Sequence, residues 1–174
     1  GGVLEDPWKT PEESMWLRTK SIEKAANKAD ILELEFKDGD IIKVNKKALS
    51  PFKVLKKLND LAGKHGIGRI DIVENRYVGI KSRGCYETPG GTIYHKAHKA
   101  MESITIDREL LHLKEDLSNR YTRLIYNGYW FSPERESLQK LINDSQKRVT
   151  GTVRIKILKG NVMVLGRKSP FSIY

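Results

Sequence analysis

Residues 66–92 read GIGRIDIVENRYVGIKSRGCYETPGGT, and this stretch decides the fold. A short apolar strand, a polar turn, a second strand and a glycine-rich helix start follow one another. Acids, bases and tyrosines crowd the connections, where a rigid scaffold usually presents its binding chemistry. Ile70, Ile72 and Glu74 share one parity, so in a strand they point to the same face. With Asn75-Arg76-Tyr77 as a three-residue loop, Ile72 falls opposite Ile80 and Glu74 opposite Val78. A two-residue loop would set Ile72 against Gly79 and mix the faces, so the apolar register prefers the longer one. Glu74 then ends a strand on its apolar side, where an unpaired carboxylate is costly. Arg76, Arg83 or the ammonium group of a ligand can partner it; a hydrated place at the rim is the alternative. Tyr86 reads equally as a half-buried tyrosine with a wet hydroxyl. Lys81 and Arg83 read equally as solvated surface.

Past Tyr86, the run Glu87-Thr88-Pro89-Gly90-Gly91 predicts a helix entrance, with Thr88 as N-cap and Pro89 at the first helical position. The free amides of such a start can hold an anion, though a capped helix holding nothing is the commoner case. The sequence contains no GxxxxGK[ST] phosphate loop, and Gly66, Gly68 and Arg69 lack the spacing of a dinucleotide fingerprint.

Outward from this stretch, hairpins alternate with helices. Leu32, Leu34 and Phe36 alternate with Glu33 and Glu35, a half-buried strand that Lys37-Asp38-Gly39-Asp40 turns into a second strand, Ile41 to Val44. Ser50-Pro51 opens an amphipathic helix striped with Val54, Leu55, Leu58, Leu61 and Ala62, ending at Gly63 or Gly66. Helices are expected from about Pro89 to Ser103, from Asp107 to about Tyr126, and from Ser132-Pro133 to about Ser145. A last hairpin pairs Thr152–Leu158 with Val162–Arg167. Before all of these, Thr10-Pro11-Glu12-Glu13 suggests a short helix start that Trp8 and Trp16 can dock, and Ser21 to Ala29 a turn or short helix. The aromatic run Asn127 to Phe131 suggests a packing or subunit contact. The order predicts an α+β fold: antiparallel β-hairpins packed with several amphipathic helices in a single domain.

Composition narrows the class. The chain has 174 residues, 39% of them hydrophobic, enough for one core. No apolar run approaches the ~20 residues that cross a bilayer. The start lacks a basic region followed by an apolar stretch, so no secretory signal is expected, and Gly-Gly in place of Met suggests a fragment. The lone Cys85 cannot form an internal disulfide, which fits a reducing compartment, the cytoplasm by default; no neighbouring base makes it a nucleophile. His95 and His98 lie i, i+3 on a helix without further ligands, so surface histidines are expected and no metal site. The net charge of +10 raises a rival reading. Between Asn143 and Lys168 seven basic residues face one acid, Asp144, and such a hairpin can follow a phosphate backbone. It lacks the exposed aromatic platform of single-strand binders.

Several separated motifs decide among these classes. Gly2 to Glu5 reads GVLE, Ala62 to Arg76 reads AGKHGIGRIDIVENR, Lys81 to Gly84 reads KSRG and Tyr86 to Ile93 reads YETPGGTI. Further on come Asp107-Arg108-Glu109, Trp130-Phe131-Ser132-Pro133, Val149-Thr150-Gly151 and Leu165 to Pro170, LGRKSP. Together they resemble the argininosuccinate synthases over essentially the whole chain, in their C-terminal synthetase and multimerisation domain. The resemblance implies one domain over residues 1–174, with 1–29 as a connecting extension. It implies an ATP-dependent carbon–nitrogen ligase of arginine biosynthesis that activates citrulline as a citrullyl-adenylate before the aspartate amine displaces AMP. Glu74 and Tyr86 fall on the family's two citrulline contacts in this half of the enzyme, positioning substrate through its ammonium end and polar groups. No role is carried over for Lys81 or Arg83, and no catalytic residue. Citrulline, aspartate and ATP, with Mg expected beside the ATP, are the implied small-molecule partners, and a homotetramer is the implied assembly. Neither membrane nor nucleic acid is among them. The family's SGGxDTS pyrophosphate loop is absent, as is its tail beyond Tyr174, so these residues alone are not expected to adenylate citrulline. A basic nucleic-acid-binding domain and a purely structural assembly domain stand as the alternatives.

Overall fold

Alternating apolar residues build the centre of the molecule. The computed structural model describes residues 2–174, so the first residue of the expected 1–29 extension lies outside it. Strands β1 (Asp30–Lys37), β2 (Asp40–Val44), β3 (Lys47–Ala48), β6 (Gly151–Leu158) and β7 (Asn161–Lys168) form an antiparallel sheet in the order β3-β2-β1-β6-β7. β1 and β6 meet only after more than half the chain has intervened, with Leu32 opposite Ile155 and Leu34 opposite Val153. Their even and odd positions, Leu32, Leu34, Phe36 and Val153, Ile155, Ile157, face the core and are fully buried.

Two helices cover that face. Helix α1 (Pro51–Lys64) contributes Val54, Leu58 and Ala62, and α2 (Pro89–Thr105) contributes Ile93, Ala97, Met101 and Ile104. The prolines open both helices as expected, having no amide to leave unbonded. Asp107 caps α3 (Arg108–Tyr126) by accepting from the Glu109 and Leu110 amides, and Ser132 caps α4 (Pro133–Ser145) by accepting from the Arg135 amide. These two helices pack on each other as an arm in which α3 has no fully buried residue. The architecture is α+β.

Tight turns set the register of the large sheet. Asp38-Gly39, Asn45-Lys46 and Lys159-Gly160 all have positive φ at both residues, the two-residue geometry that matches strand twist. The N-terminal residues depart from expectation at one point: a single 3-10 turn at Glu13–Met15 replaces the short helix, whereas residues 21–29 form turns, one of the two forms expected there. Trp16 docks through the Arg69 guanidinium, 4.9 Å from its ring, whereas Trp8 stands exposed.

Candidate functional site

Strands β4 (Arg69–Asn75) and β5 (Lys81–Glu87) form a separate two-stranded sheet. Its loop is three residues long, but Tyr77-Val78-Gly79 rather than Asn75-Arg76-Tyr77. The Gly79 amide donates to the Arg76 carbonyl and the Arg76 amide to the Ile80 carbonyl. A three-residue loop of this kind ends on a left-handed residue, and Gly79, at φ 87°, supplies it. The register therefore moves: Ile72 lies opposite Gly84 rather than Ile80, and Glu74 opposite Ser82 rather than Val78. The shift is even, so the faces survive.

One face is bolted to the N-terminal segment. The Glu87 carboxylate accepts four hydrogen bonds of 2.6–2.9 Å, from the amides of Leu17, Arg18 and Thr19 and from the Thr19 hydroxyl. Burial pushes this carboxyl up, but those donors outweigh it and hold the group below the usual carboxylate range. Arg69 forks onto Glu13 at 2.7 and 2.9 Å and donates to the Thr19 carbonyl. Arg83 forks onto Asp71 at 2.7 and 2.9 Å and donates to the carbonyls of Asp6 and Lys9. The Arg83 hydrogen bond holds the Asp71 carboxyl below its ordinary value. Arg83 is therefore not the partner of Glu74; strand parity puts them on opposite faces. Lys81 shares the anchored face and donates to the Asn75 side-chain oxygen at 3.0 Å. Cys85 is also there, its thiol pushed up by burial and by the Asp71 charge, the opposite of an activated nucleophile.

The other face is open. Ile70 and Ile72 are 40% and 39% exposed, so the expected apolar side exists without being buried. Across it the Tyr86 hydroxyl donates to Glu74 Oε1 at 2.6 Å, joining the two predicted site residues directly. Glu74 is half-buried and, among the described residues, has no cation within ion-pair distance. Arg76 instead donates to the Ser82 hydroxyl at 3.1 Å. The hydrogen bond to Glu74, then desolvation and the Glu74 charge, push the Tyr86 phenol above its ordinary value, with Arg76 opposing and Tyr126 reinforcing the rise. A phenol so placed is a neutral donor near neutral pH. It leaves the remaining lone pairs of Glu74 free for a cationic group. Such an arrangement can orient a cationic ligand through hydrogen bonds.

Other expectations fall away from this face. The Gly90 amide at the start of α2 is taken by Asn59 Oδ1 at 2.8 Å, so that helix entrance is capped from α1. Thr88 occupies the N-cap position without a side-chain cap bond. His95 is on the surface as expected, but His98 is not: it bonds Gln146 Oε1 at 2.7 Å beside Glu102, which is 1% exposed and paired with Lys114 at 2.7 Å. Among the described residues no cluster of His, Cys, Asp and Glu suits a metal, and no helix is long and apolar enough to cross a membrane. The basic hairpin spends some of its charge internally, Lys159 on the Ile22 and Ala25 carbonyls and Arg167 on Ser103. Tyr126 was missed as a neighbour of the site because its hydroxyl reaches the Asn75 carbonyl (3.4 Å) from the far end of α3. Gly84 was missed although it stands midway between Ser82 and Tyr86 in the sequence.

Comparison with known proteins agrees with the motifs. The family described as Arginosuccinate synthase C-terminal domain matches residues 1–174. The chain is 60% identical over its whole length to an argininosuccinate synthase of a Psychrobacter species and covers 42% of that protein. It is also 60% identical over its whole length to that of a Nitratiruptor species, covering 43%. With the Nitrosococcus oceani protein it shares 63% identity over 97% of the chain and 42% of the relative. The chain thus spans about two-fifths of the length of the curated relatives it matches.

Proposed function

Since the chain belongs to the argininosuccinate synthase C-terminal domain family, we propose that it forms one wall of the citrulline site in an ATP-dependent ligase joining citrulline to aspartate. The observation that carries this reading is the Tyr86–Glu74 hydrogen bond of 2.6 Å on the open face of the hairpin, with the carboxylate lacking a cation among the described residues. A zwitterionic amino acid brings that cation. Its ammonium group can donate to the free lone pairs of Glu74, while the phenol fixes the carboxylate and offers its own oxygen to the ligand's polar groups. Neither residue makes or breaks a bond. Both contribute by holding the ureido oxygen where it can be activated. In this reading the groups that handle ATP, its Mg and aspartate belong to the three-fifths of the relatives that the chain does not span. These 174 residues alone are then inactive, and the whole enzyme works as a cytoplasmic homotetramer.

Steady-state kinetics of the full-length ligase test the assignment. Glu74→Gln and Tyr86→Phe should each raise KM for citrulline by roughly ten- to a hundred-fold, the worth of a hydrogen bond to a charged group, with KM for ATP changed little. An equal rise for both substrates, or none for citrulline, would remove the pair from the citrulline site.

A further inference from the structure

We infer that Gly84 is a positioning residue for the ligand: its missing side chain is what lets the Tyr86 ring lie along the hairpin and reach Glu74. The inference rests on the citrulline reading above for its functional consequence, but its geometry stands apart from it.

Tyr86 lies opposite Ile70 and Glu74 opposite Ser82, so the two are separated by four positions along the strand. That is about 14 Å of extended chain at 3.4 Å per residue. Upright side chains cannot close such a gap, yet the hydroxyl sits 2.6 Å from Glu74 Oε1. Gly84 stands between them. A Cβ built there would meet Tyr86 Cε2 at 2.7 Å and its Cζ and Oη at 2.9 Å, all at the far end of the ring. The phenol thus lies flat across the one position on this face of β5 with nothing to lift it.

No other feature of the site calls for glycine. Gly84 is not among the residues with positive φ, and glycine in a strand interior weakens the strand. The contrast with nearby glycines is sharp. A Cβ at Gly63 would meet the Arg18 carbonyl oxygen at 2.2 Å, and one at Gly68 the Thr88 and Pro89 main chain at 2.6 Å, so those glycines are fixed by backbone. At Gly84 the obstacle is the movable end of a single side chain. Alanine there leaves the main chain in place and turns the ring away. The carboxylate then loses its fixed orientation and the ligand loses the phenol.

The test uses the full-length ligase in two measurements. With 13Cζ-labelled tyrosine, the Tyr86 resonance, identified by its absence in Tyr86→Phe, should titrate above the ordinary phenol in the parent protein and fall back toward it in Gly84→Ala. In kinetics, Gly84→Ala should raise KM for citrulline by roughly ten-fold with kcat and KM for ATP little changed. It should add nothing when placed on Tyr86→Phe, because the hydroxyl it displaces is already gone. Two results would overturn the inference: an unchanged Tyr86 titration in Gly84→Ala, or the same penalty in KM for citrulline in both backgrounds. A displaced titration with an unchanged citrulline KM would uphold the hold of Gly84 on the ring and overturn the citrulline reading beneath it.

Discussion

Strand β1 and strand β4 carry the same alternation of aliphatic residues with charged ones, yet they end in opposite surroundings. Leu32 and Leu34 of β1 are 2% and 0% exposed beneath two helices, while Ile70 and Ile72 of β4 are 40% and 39% exposed on an uncovered face. Alternation fixes which way a side chain points. Whether that side is then buried depends on what the rest of the chain brings over it, here α1 and α2 for the large sheet and, among the described residues, only the edge contact of Tyr126 from α3 for the hairpin. The hairpin compensates on its other side, where polar groups take the place of a core.

The widest separation between the two regions should appear in stability. Leu34→Ala opens a cavity in a sealed core and should cost about 2–5 kcal/mol, whereas Ile72→Ala should cost well under 1 kcal/mol, as exposed sites do. Chemical denaturation of the two variants measures this directly; equal losses would mean that the hairpin face is as covered as the sheet. A smaller effect should come from Glu87, whose carboxyl is held below its ordinary value by the Thr19 and neighbouring donors despite its burial. A lowered folded-state pKa contributes stability that is complete above the unfolded-state value, about 4.3. That contribution is lost as pH falls through the lower folded-state value. Glu87→Gln should therefore lower Tm by a few degrees at neutral pH and flatten the acid limb of the Tm-against-pH curve. An acid limb unchanged by the substitution would show that the clamp on residues 17–19 contributes nothing.

Much of the large sheet and its helices was legible because each signal was local. Asp38-Gly39 is a turn on its face, and Pro51, Asp107 and Ser132 mark helix starts within a residue of where they occur. Asn45-Lys46 was not legible as a turn, since nothing in lysine announces a φ of 67°. The hairpin loop was misplaced because Val78 and Ile80 look like partners for the apolar face, although Gly79 is the residue able to close a three-residue loop. Strand parity carries the information that Glu74 and Tyr86 share a face and Arg83 does not, yet the sequence reading kept Arg83 as a partner for Glu74. What parity could not supply was the anchored face, whose partners at residues 6–19 lie fifty or more positions away in sequence. Nor could it show the lean of the Tyr86 ring, which depends on an absent side chain at Gly84.

The central claim is that the Glu74 carboxylate receives the ammonium group of citrulline, and calorimetric titration of the full-length ligase with two ligands tests it most directly. One ligand is citrulline; the other is the same ureido acid lacking the α-amino group. Glu74→Gln should weaken citrulline by roughly ten- to a hundred-fold and leave the deaminated analogue unchanged, because the group it serves is absent. If the substitution weakens both ligands equally, the carboxylate does not hold the ammonium group and the assignment of this face is wrong.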